Sequence, residues 1–266
     1  MRYVLAGCCL CILLLGGCAV KLPQTERLGG TDLEDAQERL NLYLAQSCVA
    51  AVDGDVTLSW SAYGQNDRYA ASLQAAAPAL LRLSLNDPLG RPLLLLGTDG
   101  KTFTLADNRK AVGYTGSTDL RFVRRFLPAF IPTDDLFLWL SGRVRPETMR
   151  RAAARADAEG RIWWHGGSSD GTTVHILAFD RQNHLSRHLV ADQKTNEILF
   201  EADYSGYQST NKDCAWPGRI NFTGKALEAD YAITFEELFG FGPIDKKHFQ
   251  VSLPPHFTVK QMTDQD

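Results

Sequence analysis

The chain has 266 residues, 44% of them hydrophobic and 22% charged, which is the balance of a folded globular protein of one large domain or two small ones. Lys and Arg number 28 against 31 Asp and Glu, a formal net charge of -3, so there is no basic excess to neutralise phosphates over a large surface and nucleic acid is not an expected partner. No apolar run reaches the roughly 20 residues that span a bilayer, which excludes a polytopic helical membrane protein.

Met1-Arg2 supplies a short positive region and Val4 to Leu15 an apolar stretch of the length a signal peptide requires. Leu15-Gly16-Gly17-Cys18 then resembles the lipobox of bacterial lipoproteins, in which the signal (residues 1–17) is removed and the cysteine is diacylated. That resemblance makes Cys18 the lipid anchor. Leu5-Ala6-Gly7-Cys8 is a rival lipobox, but too few apolar residues precede it. Ala19 after the anchor looks like the outer-membrane export pattern of enteric-type envelopes. Cleavage before Cys18 also removes Cys8, Cys9 and Cys11, leaving Cys48 and Cys214 as candidates for a disulfide in an oxidising compartment. Two buried free thiols are the alternative.

Residues 18–30 read as anchor and tether, because Pro23, charges and Gly29-Gly30 carry no apolar period. Residues 31–266 read as a single domain. Thr31-Asp32 opens an amphipathic helix with Leu33, Ala36, Leu40, Leu44 and Cys48 on one face. From Asp53 the period changes to two, with Val56, Leu58 and Trp60, then Leu81, Leu83 and Leu85, alternating against polar residues. Asn86 to Gly90 is a turn, Pro92 to Leu96 a strand, Gly97 to Gly100 a hairpin and Lys101 to Ala106 a strand.

Ser117 to Leu140 interrupts the strands. Thr118-Asp119 caps a helix with Leu120, Val123, Phe126 and Leu127 on one face, and Asp134-Asp135 start a second through Trp139. Phe122, Phe126, Phe130, Ile131, Leu136, Phe137 and Trp139 give this insert far more apolar surface than a loop carries. Either it is a lid over an apolar cavity or it fills a core with nothing else inside. Arg145 to Glu159 reads as a further helix or a polar excursion. Seven more strands follow, within 161–164, 172–179, 184–191, 198–204, 218–221, 227–235 and 249–253. The expected class is α+β, one strongly curved antiparallel sheet of about eleven strands with an N-terminal helix and a helical lid.

Catalytic and metal motifs are weak. Gly100-Lys101-Thr102 has the tail of a phosphate-binding loop but leads into a strand, and Ser168-Ser169-Asp170 lacks the last glycine of a nucleophile elbow. His184 and His188 lie four apart without a third ligand and read as surface histidines. Trp163-Trp164 reads as core on one face and rim on the other. No enzyme, metal or cofactor is expected.

Three stretches together resemble the outer-membrane lipoprotein receptor family (LolB). LRLSLNDPLGRPLLLL at 81–96 is similar to its strand, loop and strand element, FIPTDDLFLWLSG at 130–142 to its proline-containing segment and Trp-bearing helix, and the anchor at Cys18 agrees. Further on, the likeness is carried by strand pattern, by Trp216-Pro217 and by Arg219-Ile220-Asn221, while FQVSLPPHFTV at 249–259 resembles uncharacterised envelope lipoproteins related to the receptor and its carrier. The resemblance implies an incomplete barrel closed by the lid. Its cavity would accept the acyl chains of lipoproteins from a periplasmic carrier of the same fold, and the protein would insert them into the outer membrane as a monomer. The exposed leucine of the family's insertion loop maps onto Leu89. A module of this fold that binds lipid or a partner protein without delivering lipoproteins is the alternative.

Overall fold

The structure is a computed structural model that describes residues 22, 24–46, 49–128, 130–168, 171–210 and 215–265. Cys18, Cys48 and Cys214, and with them the anchor and the disulfide expectation, lie outside the described residues.

Two wings of antiparallel strands meet in one curved, open sheet. The N-terminal wing is a meander of β2 (Ala51–Ala62), β3 (Gln65–Ala76), β4 (Leu80–Asn86), β5 (Pro92–Thr98), β6 (Thr102–Asp107) and β7 (Val112–Ser117). The C-terminal wing runs from the edge strand β1 (Thr25–Arg27) through β8 (Ala153–Asp157), β9 (Ile162–Gly167), β10 (Thr173–Phe179), β11 (Leu185–Asp192), β12 (Ile198–Ser205) and β15 (Arg219–Thr223) to β16 (Asp230–Gly240). A separate small pair, β13 (Gln208–Ser209) and β14 (Ala215–Trp216), lies between β12 and β15 in the chain. β16 pairs with β2 and joins the wings, and two bulges, at Phe235/Glu237 and Leu238/Gly240, bend it. β17 (Thr258–Gln261) forms the other edge by pairing parallel to β7.

The main sheet has 15 strands rather than about eleven. β1, β7, β8 and β17 are additional to those expected, and three of them have one cause: β1, β8 and β17 are short strands with little apolar content at or near an edge, where a strand needs no apolar face. β1 forms within the span read as tether, and β8 within the charged 145–159 stretch. The run Tyr69 to Leu85 is two strands, turned at Ala77–Ala79. Residues 249–253, expected as a strand, are irregular.

Helix α1 (Gly30–Ala45) buries Ala36, Leu40 and Tyr43 on the concave face of the C-terminal wing. The Tyr43 hydroxyl donates to the Gly142 carbonyl at 3.0 Å, its ring meets Phe179 edge-on at 4.8 Å, and the Arg143 guanidinium lies 4.1 Å over it. Trp164, Leu177 and Leu185 pack in the same core. Trp163, instead of forming a rim, is buried on the convex face with Ile176, Leu189, Ile198 and Leu22. Its indole donates to Asp157 at 2.9 Å. Burial works to raise that carboxyl and is outweighed by the hydrogen bonds from Trp163 and Arg161, which hold it down at about 2. Among the described residues no helix is long and apolar enough to cross a membrane.

The C-terminal segment straps the convex face of the N-terminal wing. Arg82 donates to the carbonyls of His248 and Gln250 at 2.8 and 3.4 Å, and Phe249 is buried with Ala51 and Ala76. The strap lies this close because β5 and β7 have glycine beneath it: a Cβ on Gly97 would stand 2.4 Å from the Phe249 carbonyl oxygen, and one on Gly113 2.3 Å from the Leu253 side chain. Gly97→Val is therefore expected to lower stability by about 1–3 kcal/mol and to make the segment after Phe241 the first site of limited proteolysis. Unchanged melting and digestion would contradict this packing.

Candidate functional site

α1 fills the concave face over the C-terminal wing only. Over β2 to β4 and β15–β16 the strands still present apolar side chains inward: Leu58 and Trp60 from β2, Leu81, Leu83 and Leu85 from β4, and Phe222 and Ile233 from β15 and β16. The 118–140 excursion arches across them and encloses a cavity of about 570 Å³, within the range of ligand sites.

That arch is only slightly helical, unlike the helical lid expected. α2 (Arg121–Arg124) is a single turn, a 3-10 turn spans Thr133–Asp135 and α3 (Leu136–Leu140) is short. Pro128 and Pro132 remove amide donors and fix backbone angles, so no long helix forms between them. Arg124 holds the arch together, pairing with Asp119 at 2.6 Å and donating to the Ile131 carbonyl at 3.3 Å.

Of the seven apolar residues singled out in the arch, Phe126, Ile131, Leu136 and Trp139 line the cavity. Phe130 lines a second pocket instead of the cavity, although its ring still packs edge-on against the cavity residue Phe200 at 5.9 Å. Phe137 is core, 5.6 Å from Trp216, and Phe122 packs edge-on against Phe126 at 5.5 Å over a shallow surface hollow. Trp139 forms a side wall with Phe200, their rings 5.3 Å apart. The strand-borne lining, including Leu73, Phe200, Phe222 and Ile233, carried no signal in the sequence beyond ordinary alternation.

Strands β2 and β4 point the same way, so the β2–β3 and β4–β5 turns leave the same end of the sheet as the cavity mouth at Trp60, Ala62 and Tyr63. Three large apolar side chains are exposed around this end: Tyr63 at 96%, Leu89 at 78% and Phe126 at 49%. Leu89 does not line the cavity. Its turn is stiff, because the Asp87 carboxylate accepts the Leu89 and Arg91 amides at 2.8 and 2.9 Å and the Arg91 guanidinium at 2.7 Å. The bond from the Arg91 amide leads in holding the Asp87 carboxyl below its usual value. Across the mouth, Arg125 on the arch pairs with Glu228 on the β15–β16 loop at 2.7 Å. Both are substantially exposed, so the tie is weak and an opening arch breaks it at little cost.

A larger trough of about 970 Å³ runs along α1 beside Leu33, Leu42 and β8. It is an open surface groove edged by Glu34, Glu38 and Arg27, and so keeps water against anything bound there.

Gly100-Lys101-Thr102 sits in the β5–β6 hairpin, with Thr102 opening β6. Ser169 and Asp170 lie outside the described residues. His188 is corrected from surface to core: it is 2% exposed, stacked flat on Trp139 at 4.1 Å, with Nε2 2.9 Å from Nδ1 of His175 and Nδ1 unpartnered. Like Val190, it faces inward on β11. Among the described residues no three His, Cys, Asp or Glu side chains form a metal-ligating group.

No family model and no curated protein matches the sequence. Solved structures match in shape. A DUF1329 family protein from Desulfovibrio piger aligns over 82% of this chain and 95% of its own, with a TM-score of 0.52 and 8% identity. A LolA superfamily protein from Nitrosomonas europaea aligns over 82% and 97%, with a TM-score of 0.49 and 11% identity. The first of these shows a shared fold, and at 8% identity it shows the fold alone.

Burial holds His188 well below the ordinary histidine value, and His165, pressed also by Arg155, at about 4. Both bind protons more readily when unfolded, so their contribution to stability is full above about pH 6.5 and falls as pH drops below it. Asp203, raised to about 6 by burial and by Glu201, acts in the opposite sense. His188→Leu separates the two: the loss of stability from pH 7.5 to pH 5 in chemical denaturation is expected to shrink relative to wild type. An unchanged difference would contradict a buried neutral His188.

Proposed function

We propose that this protein is a lipid-anchored lipoprotein of the outer membrane that accepts the acyl chains of lipoproteins from a periplasmic carrier in its apolar cavity and inserts them into that membrane. The observation that carries this reading is the roofed apolar cavity of about 570 Å³ opening at the end of the sheet that also bears Tyr63 and Leu89. The Leu15-Gly16-Gly17-Cys18 sequence and the likeness of 81–96 and 130–142 to the receptor family support it.

Such a transfer needs affinity and no bond-making. Burying an acyl chain is worth about 0.8 kcal/mol per methylene, so ten methylenes supply about 8 kcal/mol. A receptor cavity slightly more complementary than the carrier's makes the handover downhill without nucleotide. Leu89 fits the release step: held clear of the core on a stiff turn, it can enter the acyl boundary of a bilayer while the mouth lies against the surface.

The test uses a soluble form lacking Cys18, mixed with a carrier preloaded with labelled lipoprotein and then separated from it. Label is expected on this protein. With Leu89→Glu in the anchored protein, label is still accepted but its delivery to vesicles is expected to fall about tenfold or more. A folded protein that takes no label would overturn delivery and leave a module that binds lipid or a partner; full delivery by Leu89→Glu would remove the role of the turn.

A further inference from the structure

On the far side of the arch from the apolar cavity lies a second pocket, of about 750 Å³, with a different lining. Its aromatic floor is Phe130 and Trp139, and Trp139 also lines the apolar cavity, so one indole separates the two spaces. The opposite wall comes from Arg145, α4 (Pro146–Met149) and the residues after it, with Thr173 and His175 of β10 and Ser168 of the β9–β10 turn completing it. That turn leaves the sheet at the same end as the cavity mouth.

The charges here are unevenly matched. Arg145 pairs with Asp135, whose carboxyl is largely buried, while Glu147 stands at the rim. Arg150 and Arg151 are exposed and have no acidic partner among the described residues. Three guanidiniums thus face two carboxylates, and two of the three are free to bind. α4 is set against β9 by contact: a Cβ on Gly166 would stand 2.2 Å from the Thr148 carbonyl oxygen, so glycine there lets the arginine-bearing segment approach.

We infer that this pocket binds a phosphate-bearing headgroup, with Arg150 and Arg151 as its anion-binding residues, and that the protein therefore also takes anionic acyl lipid as cargo, its chains in the adjoining cavity. Guanidinium is suited to this because its planar donor fork matches phosphate oxygens in bidentate pairs. The acyl-glyceryl group of a lipoprotein bears no phosphate and would leave both arginines idle. The inference rests on the cavity reading, though not on delivery of lipoproteins.

The experiment measures binding of fluorescently tagged phosphatidylglycerol, tagged diacylglycerol with the same chains, and glycerol phosphate to the form lacking Cys18. Both arginines are exposed and unpaired, so Arg150→Ala/Arg151→Ala leaves the fold intact, which circular dichroism checks. Phosphatidylglycerol is expected to bind about tenfold more tightly than diacylglycerol to wild type and within about twofold of it in the variant, with diacylglycerol unaffected. Equal binding of the two lipids by wild type, or a preference that survives in the variant, would overturn the headgroup site. Arginine-dependent binding of glycerol phosphate without any lipid preference would overturn it in favour of a soluble phosphate ligand. Failure to bind diacylglycerol as well as phosphatidylglycerol would show instead that the cavity reading itself is wrong.

Discussion

β16 and β2 run antiparallel from Asp230 opposite Ser61 to Gly240 opposite Asp53, and along this seam two wings that are otherwise consecutive meanders become one sheet. The bulges at Phe235/Glu237 and Leu238/Gly240 put an extra residue into β16 twice, which bends the seam and cups the face that both wings share. Ile233 and Leu58 face each other across it, and both line the cavity. Were the seam flat, the arch would have nothing to enclose.

A cupped apolar face must be covered, and this protein covers it unequally. α1 lays Ala36, Leu40 and Tyr43 onto the C-terminal wing and leaves the seam and the first strands of the N-terminal wing to an arch with little helix. Short turns broken by Pro128 and Pro132 cannot interdigitate with a sheet as a long helix does, so space is left beneath them. The exposed Arg125–Glu228 pair ties the arch to the β15–β16 loop with a contact that costs little to break.

The parts legible in the sequence are those where one face is apolar and the other wet. Leu58 and Trp60, and Leu81, Leu83 and Leu85, alternate cleanly because β2 and β4 are central strands, and Leu89 was recognisable as a leucine at a polar turn with no core to join. β8 was not legible: Ala153 to Asp157 has helix-favouring composition, and its pairing with β1 and β9 makes it a strand. Within the arch the surplus of apolar residues was visible but its direction was not, since each proline resets the side-chain phase and Phe130 ends in a different pocket from Ile131. His188 was misplaced by its four-residue spacing from His184; on a strand, parity with Val190 is the informative relation, and it puts the imidazole inside. That α1 would stop short of the seam is a property of packing that no local pattern encodes.

Trp139 stands between the apolar cavity and the arginine-lined pocket and lines both. The central claim is that an acyl chain occupies the space under the arch. A fatty acid carrying a photoreactive group at its chain terminus, cross-linked to the form lacking Cys18 and mapped by mass spectrometry, tests this most directly. Adducts are expected on Leu58, Leu83, Phe222 and Ile233. Adducts confined to Leu33 and Leu42 in the α1 trough, or to the strapped convex face, would contradict it.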